Sequence, residues 1–147
     1  MRACGAALLI WGAALLGGCR QEQAEVKGDS GQKIYVTRCA VCHGMKEEGR
    51  PGLYPPLAGS EWVSGPPERM AALILDGLQG PAGKYNAVMP GWRGYLKDAE
   101  IAAVMTWLRQ GAGKGPVSAV EVNRVHLETE GRNTFWTVYD LQNLRMH

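Results

Sequence analysis

The sequence predicts an all-α fold: a handful of short helices packed as one small domain. Three observations predict it. Apolar residues recur at helical spacing in three separate stretches: Tyr35, Cys39 and Cys42; Met70, Leu73 and Ile74; and Ile101, Val104, Met105 and Leu108. No β-α-β pattern leads into the cysteine pair Cys39 and Cys42. A length of 147 residues, 46% hydrophobic and 20% charged, suits one globular domain with little room for a second. The formal charge is only +2, which argues against a nucleic-acid binder working by phosphate neutralisation. No run reaches the roughly 18 apolar residues a bilayer span needs, which argues against a multi-span membrane protein.

The chain opens with Met1-Arg2 and an almost wholly apolar run from Ala3 to Gly18. One positive charge, a short hydrophobic core and then small residues read as an export signal over residues 1–18. A membrane helix is the rival, and it wants a longer run with a charged stop. The run ends Leu16-Gly17-Gly18-Cys19, which resembles the lipobox of bacterial lipoproteins. That resemblance implies cleavage before Cys19, lipid on Cys19, and anchoring of the exported chain to a bacterial membrane, inner or outer. A plain secreted protein is the alternative. Residues 19–28 read as a polar, flexible tether.

The helices follow in order. Ser30 is placed to cap the first, which carries Tyr35, Cys39 and Cys42 on one face. A middle helix begins near Pro67 and turns Met70, Leu73 and Ile74 inward. A later helix has Asp98 and Glu100 in its first turn, where the helix dipole favours acids, and Gly111 as its stop. Lys114-Gly115-Pro116 then breaks the chain, and residues 114–147 form an extension. Ser118-Ala119-Val120-Glu121 is a capping-box pattern that starts a helix reaching about Glu128. Thr137 and Asp140 suggest a last helix ending near His147. Phe135, Trp136 and Tyr139 cluster in this extension. Packing back on the domain is favoured for them over an interaction epitope.

Residues 39–43 read Cys39-Ala40-Val41-Cys42-His43, the C-x-x-C-H attachment motif of c-type haem. Two thiols one helical turn apart suit the two vinyl groups on one side of a porphyrin. The next residue, His43, is then carried to the iron. A thioredoxin-type site wants a preceding strand, and a zinc site wants more ligands than Cys39 and Cys42 supply. A structural disulfide between Cys39 and Cys42 is the remaining rival, and it predicts a colourless protein.

With that motif, the chain resembles the class I c-type cytochromes, specifically bacterial monohaem forms, over residues 29–113. The resemblance implies a small cytochrome c fold with helices wrapped around one covalent haem c. It implies that Gly31 and Tyr35 pack against the last helix of the core through Val104 and Trp107. Lys97 stands where many relatives carry a capping Ser, so Asp98 is expected to cap instead, or the cap to be weaker by about 1 kcal/mol. The resemblance implies Met89, within Val88-Met89-Pro90-Gly91-Trp92, as the sixth iron ligand. Pro90 and Gly91 suit a stiff loop that presents the thioether. Among the other methionines, Met45 follows His43 too closely, Met70 and Met105 face the core, and Met146 lies in the extension. Within Tyr54-Pro55-Pro56-Leu57, the resemblance implies the Pro55 carbonyl as acceptor for the His43 ring, with Pro56 in reserve, and Leu57 against the haem. Trp62, Tyr85 and Trp92 are candidates to shield the haem or bond its propionates. His126 and His147 read as surface residues.

The function expected from these residues is one-electron transfer, not catalysis. With His43 and Met89 both on the iron, no substrate position is open. The alternative is a haem enzyme or a gas or peroxide sensor with an open or labile sixth position. Redox proteins are the expected partners, with the membrane reached through the lipid. The chain could be a free shuttle or the cytochrome subunit of an oxidoreductase complex. Basic and acidic residues balance between Asp29 and Val63, so a partner contact there is expected to be apolar or permanent rather than strongly charged.

Overall fold

The computed structural model describes residues 28–80 and 85–146. The export signal, Cys19, the tether up to residue 27, and residues 81–84 lie outside the described residues. Among the described residues seven α-helices follow in order: α1 (Gly28–Ile34), α2 (Ala40–His43), α3 (Glu61–Ser64), α4 (Pro67–Asp76), α5 (Asp98–Gly111), α6 (Ala119–Glu128) and α7 (Val138–Gln142). A π-helical segment, Tyr35–Cys39, joins α1 to α2 without a break. Among the described residues, β structure is limited to isolated bridges. The all-α expectation holds.

The core is built on α5. Its inward face carries Ile101, Val104, Met105 and Leu108, none more than 4% exposed. Each such side chain contributes about 1.5–3 kcal/mol through burial. α1 crosses α5 at Gly31. A Cβ there would strike the Ala103 carbonyl and approach Trp107 Cβ to 2.8 Å, so only glycine lets the two backbones come this close. One turn on, Tyr35 is fully buried and its ring lies 4.8 Å from that of Trp107. The pair expected from the resemblance is therefore in contact.

α4 starts with Pro67 at its first position, where a missing N–H costs nothing, and ends at Gly77, whose φ of 78° takes the chain out of the helix. Met70, Ala71, Ala72, Ile74 and Leu75 are buried on it. Arg109 near the end of α5 is itself buried, yet its guanidinium donates to the carbonyls of Val63 and Gly65, both at 2.8 Å. These charge-assisted bonds tie α3 and its exit to α5 and satisfy the buried cation.

The extension packs back on the core. Thr106 Oγ1 accepts from the Val117 N–H at 3.0 Å and donates to its carbonyl at 3.2 Å. Val122, Val125 and Leu141 are essentially inaccessible, and Trp136 is 6% exposed. Phe135 and Tyr139 stay exposed, so the aromatic cluster divides rather than packing as a unit. α6 matches its expected bounds and carries the Ser118–Glu121 capping box.

α5 ends at Gly111 as expected, and a left-handed turn follows at Gly113 with φ of 67°. Three local expectations are corrected. Ser30 lies inside α1 and not at its cap. α7 ends at Gln142 rather than near His147. Asn143 Nδ2 donates back to the Tyr139 carbonyl there and closes the last turn. Asp98 does not cap α5. Lys97 occupies the cap position, its side chain cannot accept, and Glu100 reaches back to the Lys97 N–H at 2.8 Å. The Asp98 carboxylate instead accepts from Asn123 Nδ2 and His126 Nδ1, both at 2.7 Å, and so fastens α6 to α5.

Burial alone would raise the Asp98 carboxyl, but the hydrogen bonds from His126 and Asn123 outweigh it and hold the group below its ordinary value of 3.8. A depressed carboxylate stabilises the fold above its unfolded value, and that contribution fades as pH falls through the lower folded value. Asp98→Asn is therefore expected to unfold at lower urea than the parent chain at neutral pH. The difference is expected to shrink as pH drops below about 3.8, as followed by circular dichroism.

Candidate functional site

The site begins where the first helix ends. The π-helical turn widens the backbone between Tyr35 and Cys39. Such single turns often occur at functional sites. Here Tyr35 is held against Trp107 while its hydroxyl donates to the Gly44 carbonyl at 2.6 Å. That bond spans the whole Cys39–His43 stretch and fixes its far end. Cys39 and Cys42 are free, half-buried thiols. Burial, and then the neighbouring Cys42, pushes the Cys39 thiol up to about 11. Val41 between them is 76% exposed, so one side of the motif faces solvent.

The loop after His43 folds back on it. Gly44 leaves the helix with φ of 80°, and the Gly49 N–H donates to the His43 carbonyl at 2.7 Å. Arg50 and Tyr54 exchange two backbone hydrogen bonds of 2.9 Å, closing a tight turn. The Leu57 N–H donates to the Glu47 carbonyl at 2.8 Å, with Glu47 in the left-handed region at φ of 61°. Gly49 has φ of 68°. A Cβ on it would lie 2.6 Å from the Pro55 carbonyl carbon and 2.7 Å from Pro56 N. This close approach carries Pro55 to the ring.

His43 Nδ1 lies 3.0 Å from the Pro55 carbonyl oxygen. A carbonyl only accepts, so Nδ1 carries the proton and Nε2 of the neutral ring keeps its lone pair. Burial lowers the His43 pKa, and the Pro55 hydrogen bond only partly opposes this. The neutral imidazole is thus favoured, the form a metal ligand requires. An acceptor on the far nitrogen also fixes ring orientation in metal-bound histidines.

The second arm comes from the segment after α4. Leu78 and Met89 form an antiparallel bridge. The Leu78 N–H donates to the Met89 carbonyl at 3.0 Å, and the Met89 N–H donates to the Leu78 carbonyl at 2.9 Å. Both backbone groups of Met89 are therefore held. Its side chain is half-buried and packs against the core, as do Cys39, Leu57, Trp62 and Trp92. Tyr85 is half-buried as well. Met70 and Met105 are buried core residues, and Met45 is 64% exposed. His126 is bonded to Asp98, away from this arrangement.

Sequence reasoning missed the residues that hold the second arm. The Trp92 and Arg93 N–H groups donate to the Ile74 and Leu75 carbonyls at the end of α4, both at 2.9 Å. Arg93 forks onto Asp76 at 2.6 and 3.1 Å, and the Asp76 side chain is only 4% exposed. Asp76 and Arg93 are neither helical nor strand neighbours in sequence, so no spacing rule pairs them. An arginine just after the Met89 turn was the one available hint.

The donor set fits a covalently held haem. Two thiols stand one turn apart, an oriented neutral imidazole follows them, and a soft thioether sits on a bonded segment against the same core. Comparison with known proteins agrees. The family described as cytochrome c oxidase, cbb3-type, subunit III, matches residues 26–108. The chain is 40% identical over 126 residues to cytochrome c-552 of Thermus thermophilus, covering 76% of this chain and 80% of that one. It is 31% identical over 106 residues to the cytochrome c subunit of a quinone alcohol dehydrogenase from Gluconobacter oxydans, covering 67% of this chain but 22% of that protein. It is 38% identical over 86 residues to the cbb3-type cytochrome c oxidase subunit FixP of Bradyrhizobium diazoefficiens, covering 57% of this chain and 28% of that one.

Gly49→Ala is expected to push the Pro55 carbonyl off the His43 ring and to cost about 1–3 kcal/mol of stability, as crowding of a packed turn does. Thermal unfolding measures the cost. Loss of the His43 Nδ1–H proton resonance reports the displacement.

Proposed function

The chain belongs to the c-type cytochrome family matched over residues 26–108, with haem c as its covalent cofactor and electron transfer as its business, and on that premise we propose how its own residues do the work. Cys39 and Cys42 would hold the haem as thioethers, His43 and Met89 would ligate its iron, Pro55 would orient His43, and Leu57 would line the haem. Bound haem supplies one-electron ferrous–ferric chemistry. The observation that carries this reading is the hydrogen bond from His43 Nδ1 to the Pro55 carbonyl, which fixes the ring at the end of the two-cysteine turn and leaves Nε2 as the nitrogen with a lone pair. The fully bonded backbone of Met89 supports its part as a fixed sixth ligand. The soft thioether favours ferrous iron and raises the potential. With the sixth position filled, small ligands are kept out.

The same reading places the protein on the outer side of a bacterial membrane, held by lipid on Cys19. Among the described residues, no helix is long and apolar enough to cross a membrane. The relatives named as dehydrogenase and oxidase subunits support redox proteins as partners. Tethering raises the effective concentration of such a partner without a strong interface.

Visible spectroscopy of the haem-loaded chain tests the ligation. The ferric form is expected to show the methionine–iron charge-transfer band, and the ferrous form to ignore carbon monoxide. Met89→Ala is expected to abolish the band and to admit carbon monoxide. A ready carbon monoxide shift in the parent protein would put an open or labile site in its place. For the anchor, Cys19→Ser is expected to move the exported protein from the detergent phase to the aqueous phase on phase partition. Equal partition of parent and variant would remove the lipid from the account.

A further inference from the structure

We propose that the C-terminal extension is a strap that holds Met89 on the iron, with Thr129 and Trp136 as positioning residues acting through Arg93, Asp76 and the Leu78 segment. The proposal rests on Met89 being the sixth ligand. It goes further by assigning the retention of that ligand to residues of the extension.

The segment Gly77–Gln79 is the middle of three paired stretches. On one side Leu78 pairs with Met89. On the other, Leu78 bridges to Trp136 in parallel. The Gln79 N–H donates to the Trp136 carbonyl at 2.9 Å, and the Trp136 N–H donates to the Gly77 carbonyl at 3.0 Å. The extension thus adds an outer bridge to the segment on which Met89 is registered. Gly77 has φ of 78°, and a Cβ there would approach Gly91 N to 2.7 Å and Phe135 to 2.8 Å, so the Met89 turn and the extension meet over one glycine.

Side chains lock the same junction. Arg93 holds both Asp76 oxygens, donates to the His126 carbonyl at 3.0 Å, and donates to Thr129 Oγ1 at 2.7 Å. The Thr129 hydroxyl in turn donates to the Val125 carbonyl at 2.8 Å. Trp136 Nε1 donates to Asp76 Oδ2 at 3.3 Å, and the Arg132 guanidinium lies 3.6 Å from the Trp136 ring centroid. Arg93, four residues after Met89, is therefore fixed to the extension from two sides, and Asp76 has Arg93 and Trp136 as its partners. Releasing the extension removes half the side-chain bonds of Arg93 and the outer bridge together. Opening of the Met89 segment then meets less resistance, and the thioether leaves the iron more often.

The test uses the full haem-loaded chain in the ferric state, mixed rapidly with imidazole. Imidazole takes the sixth position only after the methionine has left, so its binding rate reads the opening of that bond. Thr129→Val keeps the shape of the side chain and removes the acceptor for Arg93. Trp136→Ala removes the indole contacts. Each is expected to retain the charge-transfer band and to bind imidazole about tenfold faster, the loss expected for a hydrogen bond to a charged group. Arg69→Gln cuts a different bond to the extension, that from Arg69 to the Gln142 carbonyl at 2.9 Å. It is expected to leave the rate within about twofold, well short of the effect of a charged hydrogen bond. An unchanged rate in Thr129→Val overturns the strap, whether or not Trp136→Ala folds. Equal acceleration in Arg69→Gln also overturns it, by reducing the effect to general loosening of the extension. Absence of the band in the parent protein overturns the Met89 ligation itself, a result separate from either.

Discussion

Everything in this protein is referred to one close crossing, that of α1 over α5 at Gly31. The contact is nearly backbone to backbone and tolerates no side chain at that position. It sets the height and tilt of the first helix on the core. Tyr35, one turn along, then reaches both Trp107 and the Gly44 carbonyl, so the two-cysteine turn is pinned at both ends. The π-helical segment is the local consequence. Tyr35 stays fully buried while Cys39 and Cys42 after it come to rest half-buried, and the wider turn lies between them.

From that frame the site is assembled by two devices of different character. The His43 side is local. A loop of about a dozen residues returns to its own starting point through left-handed positions at Gly44, Glu47 and Gly49, and delivers a backbone carbonyl to the ring. The Met89 side is distributed. Its backbone is bonded to Leu78, its turn to the end of α4, and its flank to the extension through Arg93. The buried Asp76 carboxylate joins these parts, and its cost of burial is met by a forked arginine and an indole N–H. The proposed ligation asks that Met89 keep its place in both oxidation states, and a segment bonded at this many points suits that demand.

The parts legible in the sequence are those set by short-range spacing. The apolar stripe of α5, Pro67 at the start of α4 and the Ser118–Glu121 box each act within one or two turns, and each places its element correctly, whereas the single helical face expected for Tyr35, Cys39 and Cys42 is interrupted by the π-helical turn. What was illegible is what depends on residues far apart. Asp98 is an acid in a first helical turn by sequence, and nothing local says that Asn123 and His126 will claim it. Asp76 and Arg93 meet only because α4 ends beside the Met89 turn. Trp136 sits in an aromatic cluster whose members look alike in sequence, yet it alone is buried, because its backbone pairs with Gly77 and Gln79. A backbone acceptor such as the Pro55 carbonyl has no side-chain signature, and only the resemblance to a family pointed to it.

The central claim is that the chain holds its iron between one nitrogen of His43 and the sulfur of Met89, unchanged on reduction. X-ray absorption at the iron edge, on the full haem-loaded chain in both oxidation states, tests it most directly. The account predicts a single sulfur neighbour among nitrogens in the ferric and the ferrous protein alike, with nearly equal iron–sulfur distances. An iron with nitrogen or oxygen neighbours only, or one that loses its sulfur in either state, would contradict it.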